Sequence, residues 1–152
     1  MSTQDPPFPL LDFSSVRKLC FAAIRKFRSS ALKSEERQLG PGAELRPVET
    51  QYQDEFYRAC YVLLKGIYLS SEWSGKGKDG HVDFLVKSQK WAIECVGDGD
   101  RLGGHISRFQ VGGRYRGCID SGDIKEYILL DFRMSQPKKR RGTAQSNLSS
   151  WA

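Results

Sequence analysis

Residues 81–96 read HVDFLVKSQKWAIECV, two apolar runs separated by four polar residues. Short runs rich in Val, Ile, Phe and Trp, joined by a polar link, are the pattern of a β-hairpin. Strands are expected over 81–87 and 91–96, and a two-residue loop at Ser88 and Gln89 sets their register. Lys87 then faces Lys90, and the residue numbers of every facing pair sum to 177. Asp83 stands opposite Glu94, with Cβ atoms about 5 Å apart on one face. Like charges so placed destabilise a sheet unless something cationic lies between them. A divalent ion such as Mg²⁺ suits two carboxylates and keeps waters for a substrate phosphate. A three-residue loop would instead set Asp83 against Cys95 and dissolve the pair. Acids on a solvated strand face, with no ligand at all, account for the two residues equally well.

The flanking segments build on this hairpin. A strand is expected over 67–73, linked to the hairpin by the Gly-rich GKGKDG of residues 75–80. The run YILLDF marks a last strand over 126–133, apolar enough for a buried place in the sheet. Tyr52, Phe56, Cys60 and Leu63 line one side of a helix over 49–65 that Gly66 is placed to end. Another helix runs from 98 or 100 to 109, weakened by Gly103 and Gly104 at about 1 kcal/mol each. A GGRYRG loop over 112–117 leads on to the last strand. The order is helix, three strands, helix, strand, which reads as an α/β sandwich.

Ahead of it, Phe13, Val16, Cys20, Ala23, Ile24, Phe27 and Ala31 recur at three- and four-residue steps, one side of a helix over 13–32. Arg17, Lys18, Arg25, Lys26 and Arg28 take the other side. That face is either simply solvated or holds phosphates or a membrane surface. The first twelve residues, with three prolines, form a tail, and 40–47 form a Gly/Pro linker. Three regions result: 1–48 with the basic helix, 49–136 as the α/β domain, and 137–152 as a basic tail expected to be disordered.

Charge follows the same division. The 152 residues carry 24 Lys and Arg against 18 Asp and Glu, a formal net charge of +6. Residues 1–48 hold a balance of +3, residues 49–136 of −1, and residues 137–152 of +4. The whole excess lies on the flanks. Length and composition exclude a disordered chain, a collagen-like repeat and a cysteine-stapled mini-protein. No apolar stretch approaches the ~18 residues of a membrane span, and the start lacks a secretory signal pattern. Cys20, Cys60, Cys95 and Cys118 are scattered without a CxxC pair, so they are expected to be reduced thiols of an intracellular protein.

Other polar residues join the candidate site. Glu55 lies in the helix before the strands, either as a ligand or as a surface acid favoured by the helix dipole. Arg101, His105 and Arg108 are spaced at four and three, so they share a helix face that either holds a phosphate or meets solvent. His81 opens a strand and reads as structural; with His105, Cys95 and Cys118 it makes no zinc spacing.

The phrases QYQDEFYRACYVLL, HVDFLV, KWAIECVGDGDRLGGHISRFQVGGRY and IKEYILLDFR, in this order, resemble the C-terminal region of Crinkler-family proteins of fungi and oomycetes. The resemblance covers roughly 50–133. It implies a PD-(D/E)XK, restriction-endonuclease-like core, with the basic helix added at the N-terminal side. It also implies Mg²⁺ held by Asp83 and Glu94 from the second and third strands and by Glu55 from the first helix. The family pattern ends Glu-x-Lys, whereas this chain has Glu94-Cys95-Val96, and Lys87 is about 13 Å along the strand from Asp83. Arg101 is the implied replacement. Gly97, Gly103 and Gly104 stand where relatives carry longer charged side chains, and the family's N-terminal header segment has no counterpart in 1–48.

The activity implied is Mg²⁺-dependent DNA endonuclease hydrolysis by a nuclear effector-type protein, with Asp83, Glu94, Glu55 and Arg101 as the catalytic set. The alternative is an inactive nuclease-fold module that binds nucleic acid or a nuclear protein. DNA contacts are expected at Arg17, Arg25, Arg28, Arg108, Arg114, Arg116, Lys138, Lys139, Arg140 and Arg141. The last four resemble a nuclear-import signal, or a solubilising tail, and bind phosphate backbones without sequence preference. The destinations implied are the nucleus, or a host cell reached by export without a signal peptide.

Overall fold

The computed structural model describes residues 7–32, 48–65, 67, 69–75, 81–97, 102–132 and 148–150. The chain falls into two units, Met1–Tyr68 and Leu69–Ala152. The helix expected over 49–65 therefore groups with the N-terminal helix rather than with the sheet.

In the first unit, α1 spans Val16–Arg25. Ser15 caps it, its side chain accepting from the Lys18 N–H at 3.2 Å. Val16, Leu19, Cys20 and Ala23 form the buried stripe; Leu19 was not among the periodic residues read from the sequence. The helix expected to continue to 32 stops here, and a separate short helix, α2, spans Ser29–Leu32. The cause lies in α3, Val48–Leu64. Arg58 Nη2 donates to the Lys26 carbonyl at 2.6 Å, and the Arg28 N–H donates to Glu55 Oε1 at 2.8 Å. Side chains of α3 thus take the backbone groups that a continuous helix would pair internally. Tyr52, Phe56, Ala59, Cys60 and Leu64 are buried along α3. Lys65, at φ 47, follows its last turn in a left-handed conformation, and Gly66 lies outside the described residues.

The second unit is a mixed sheet with short helices in one connection. Its strands are β1 Leu69–Trp73, β2 Val82–Val86, β3 Trp91–Gly97, β4 Glu126–Phe132 and β5 Leu148–Ser150, in that spatial order. β1, β2 and β3 are antiparallel neighbours, whereas β3–β4 and β4–β5 are parallel. A parallel neighbour needs a crossover. Here it contains α4 Leu102–Ser107 and α5 Arg116–Asp120. The GGRYRG segment is therefore partly helical, and three residues of the tail expected to be unstructured form β5.

The β2–β3 register is that expected from the sequence: Phe84 faces Ile93, Leu85 faces Ala92 and Val86 faces Trp91. Lys87 and Lys90 belong to a four-residue turn rather than to a facing pair, and Lys90 adopts φ 57. The Lys90 carbonyl accepts from the Lys125 N–H at 2.8 Å, which ties this turn to the start of β4.

The crossover covers the sheet face that carries Leu85, Ala92 and Leu129. Those side chains join Phe109, Tyr115, Cys118, Ile119 and Ile124 in one apolar cluster. Phe109 stacks on Tyr127 of β4 with ring centroids 4.2 Å apart and meets Tyr115 at 4.9 Å. Between them the chain doubles back tightly, the Tyr115 N–H donating to the Arg108 carbonyl at 2.7 Å. Gly113 makes this turn feasible. A Cβ there would collide with the Ser107 carbonyl and lie 2.5 Å from that of Arg108.

The two glycine positions give opposite expectations. A Cβ at Gly104 meets nothing within 4 Å, so Gly104→Ala should stabilise α4 by up to about 1 kcal/mol. That raises the thermal unfolding midpoint by about 2–4 °C for a chain of this length. Gly113→Ala should lower it by more than that, because the obstructing atoms are all backbone. Circular-dichroism melts of the two variants check the pair; an equal response would contradict this geometry.

Candidate functional site

Three acids line up across the sheet. Ser71 faces Phe84 and Trp73 faces Val82, which sets Glu72 opposite Asp83. The β2–β3 register, extended one residue beyond Phe84–Ile93, sets Asp83 opposite Glu94. Adjacent like charges in such positions are unfavourable, and the backbone is irregular where they meet. Glu72 takes φ 50, a left-handed conformation within a strand, and is exposed. Neither the Glu72–Asp83 nor the Asp83–Glu94 position is bridged in the ladder. Asp83, half-buried, turns Oδ2 onto the Cys95 N–H at 2.7 Å.

Glu94 has no route to solvent. It lies in the middle of β3 between β2 and β4, opposite Leu129, and is 1% exposed. An isolated carboxylate at such a position is costly, so it needs donors. The crossover supplies them. His105 Nδ1, in α4, lies 2.7 Å from Glu94 Oε2, and Arg108 Nη1, just beyond α4, lies 3.3 Å from the same oxygen. Nδ1 and Nη1 are themselves 3.1 Å apart. Against a carboxylate oxygen, Nδ1 is the ring nitrogen that donates. Glu94 Oε1 is buried and has no hydrogen-bond partner among the described residues.

Tyr115 closes the cluster. Its hydroxyl donates to the His81 carbonyl at 2.5 Å. Burial, then the charge of Glu94 and its hydrogen bonding to this hydroxyl, push it up to about 12, against smaller opposing effects of Arg108 and Arg114. His81 thus contributes its backbone here, and its ring Nδ1 is 3.1 Å from the Glu72 carbonyl.

Glu55 sits in the first unit and is 2% exposed. Oε1 accepts from the Arg28 N–H at 2.8 Å and from Arg58 Nη2 at 2.6 Å, and Oε2 is 3.2 Å from Arg28 Nη2. Burial raises its pKa, but the hydrogen bonds from Arg58 and Arg28 outweigh this and hold it at about 2, below the ordinary 4.5. Both oxygens are engaged within its own unit.

The other expected residues divide into three groups. Arg101, Lys138, Lys139, Arg140 and Arg141 lie outside the described residues. Arg28 and Arg108 are paired with buried acids, and Arg116 with the exposed Asp120 at 3.0 Å. Arg17, Arg25 and Arg114 are exposed. Among the described residues no group of three or more His, Cys, Asp or Glu side chains is placed to hold a metal ion. Nor, among them, is any helix long and apolar enough to cross a membrane. Sequence reasoning did not single out Glu72 or Tyr115. Glu72 would have needed the β1–β2 register, which the six-residue Gly-rich link does not fix. Tyr115 stood in a segment read as loop.

Comparison with protein-family models, with curated proteins and with solved structures finds no match.

The Glu55 cluster predicts an acid-sensitive stability term. A folded-state pKa of about 2 against 4.5 means that the stabilisation is complete above about pH 4.5. It is lost as the pH falls from there toward 2. Its size is on the order of 3 kcal/mol. Urea unfolding of the wild-type chain and Glu55→Gln at pH 7, 4.5 and 3 checks this. The variant should be less stable at pH 7 and the gap should narrow by pH 3; a gap that stays constant would contradict the assignment.

Proposed function

We propose that this chain is a nucleic-acid-binding module on a nuclease-like α/β scaffold, silent as a catalyst in the arrangement described. Support for the scaffold comes from the element order: a helix, three antiparallel strands, a helical crossover and a strand parallel to the third. The resemblance to Crinkler C-terminal regions points the same way. The single observation that carries the binding reading is the outward face of α1, where Arg17, Lys18 and Arg25 are exposed opposite the buried stripe. Lys26, just past the helix, is exposed as well. These cations are not needed by the core, whereas the acids of the expected metal set are committed within the fold. Glu55 serves Arg28 and Arg58, Asp83 serves the Cys95 N–H, and Glu94 serves His105 and Arg108. The residues as placed do not fit a Glu55, Asp83 and Glu94 metal set. A nuclear setting belongs to the same reading and rests on Lys138, Lys139, Arg140 and Arg141.

One observation favours a second reading, the Mg²⁺-dependent DNA hydrolase. Glu94 Oε1 is a buried acceptor without a partner among the described residues. For that activity Glu94 and Asp83 would have to turn toward a shared ion, and Glu55 would have to leave two guanidinium groups.

Fluorescence anisotropy on labelled DNA separates the readings. If about four cations each neutralise one phosphate, affinity should fall roughly a hundredfold between 50 and 200 mM salt. Arg17→Ala with Arg25→Ala, or removal of 137–152, should weaken binding. Asp83→Ala should leave it unchanged, and EDTA should have no effect. Mg²⁺-dependent cleavage that disappears in Asp83→Ala would establish the hydrolase instead.

A further inference from the structure

The outward face of α1 is more than a row of cations. At 100° per residue the buried stripe of Val16, Leu19, Cys20 and Ala23 points one way, and Phe21 points within about 30° of the opposite direction. An aromatic side chain therefore sits near the centre of the solvent-facing side, and it is 38% exposed. Lys18 precedes it by three residues, Arg17 by four, and Arg25 follows by four, so all three neighbour it on the helix surface. The Arg17 guanidinium lies over the ring, 5.5 Å from its centroid. Along the axis the cations from Arg17 to Arg25 span about 12 Å.

From this arrangement we infer that the face binds single-stranded nucleic acid, with an unpaired base stacked on Phe21 and phosphates held by Arg17, Lys18 and Arg25. The inference rests on the nucleic-acid reading above and names the form of the ligand. A duplex keeps its base faces stacked inside, so it offers the cations phosphates but leaves the ring without a partner. A single strand offers both, and exposed aromatics flanked by cations are how such strands are held without sequence preference. Anionic lipid is the competing occupant of a cationic face. An interfacial helix buries a broad apolar sector in the membrane, whereas the apolar sector of α1 is already buried within its unit. Leu10 and Leu11, exposed in the turn before the helix, are what lipid binding would add, so vesicles form the control.

The test compares a labelled 20-nucleotide single strand, in DNA and RNA versions, with the matching duplex and with anionic phospholipid vesicles at 50 mM salt. The full chain, Phe21→Ala and Phe21→Trp are measured by anisotropy. The single strand should bind more tightly than the duplex. Phe21→Ala should weaken single-strand binding by about 5- to 150-fold and duplex binding by less than about twofold, with the salt slope retained. Phe21→Trp should preserve binding, and its added fluorescence should be quenched by the oligonucleotide. Equal affinity for strand and duplex with no effect of Phe21→Ala would overturn this inference and leave the nucleic-acid reading in place. No binding to any nucleic acid would overturn both. Vesicle binding lost in Phe21→Ala, without single-strand binding, would assign the face to lipid.

Discussion

The row Glu72, Asp83, Glu94 across three adjacent strands is the constraint that organises the sheet unit. Antiparallel pairing fixes the three positions side by side, and three ionised acids side by side repel. Each leaves the conflict differently. Glu72 breaks the pleat with a left-handed backbone and meets solvent. Asp83 swings onto a main-chain N–H of β3. Glu94 is enclosed by β2 and β4, so it can do neither, and side-chain donors are brought to it. The crossover is consequently built around it: His105 and Arg108 come from α4 and its end, and Gly113 permits the tight return that seats Tyr115.

The first unit obeys the same rule with another acid. Glu55 is buried because α3 packs through that side, and two arginines neutralise it. The consequence is again architectural, since the carboxylate and Arg58 together split one long amphipathic segment into α1 and α2. Two of the expected phosphate ligands, Arg28 and Arg108, are thereby paired with buried acids, and Arg116 pairs with Asp120 at the surface. Arg17, Lys18 and Arg25, with Phe21 among them, are exposed on the side of α1 opposite the buried stripe. Arg28 shows that the division is not one of exposure alone: it is 58% exposed and still holds Glu55.

Much of the sheet was legible from apolar pattern. The HVDFLV and WAIECV runs mark the strands, and the register implied by a two-residue loop between them is present in three pairs. The strand over YILLDF is legible for the same reason, because a strand flanked on both edges is apolar nearly throughout. What pattern could not convey were interactions between residues far apart in sequence. The break after Arg25 depends on Glu55, 27 residues beyond Arg28, and nothing in the 13–32 periodicity marks it. The short helix Arg116–Asp120 and the three-residue strand β5 are too brief to carry a period. For the acids, the sequence indicated which would be neighbours but not what would neutralise them. A metal and a pair of basic side chains answer the same electrostatic demand, and only the folded crossover brings His105 and Arg108 to Glu94.

In the sheet unit Arg108 and His105 are placed against Glu94, the one acid of the row that neither solvent nor a main-chain N–H reaches. The most direct measurement is a titration of the ¹⁵N-labelled chain with Mn²⁺, followed through paramagnetic broadening of its backbone amide signals. With Glu94 so paired, the amides of Asp83, Phe84, Glu94 and Cys95 should keep their intensities at substoichiometric Mn²⁺, with any broadening confined to exposed acids such as Asp120 and Asp123. Selective loss of the Asp83, Glu94 and Cys95 signals at those concentrations would contradict this pairing and place a metal ion in the acidic row.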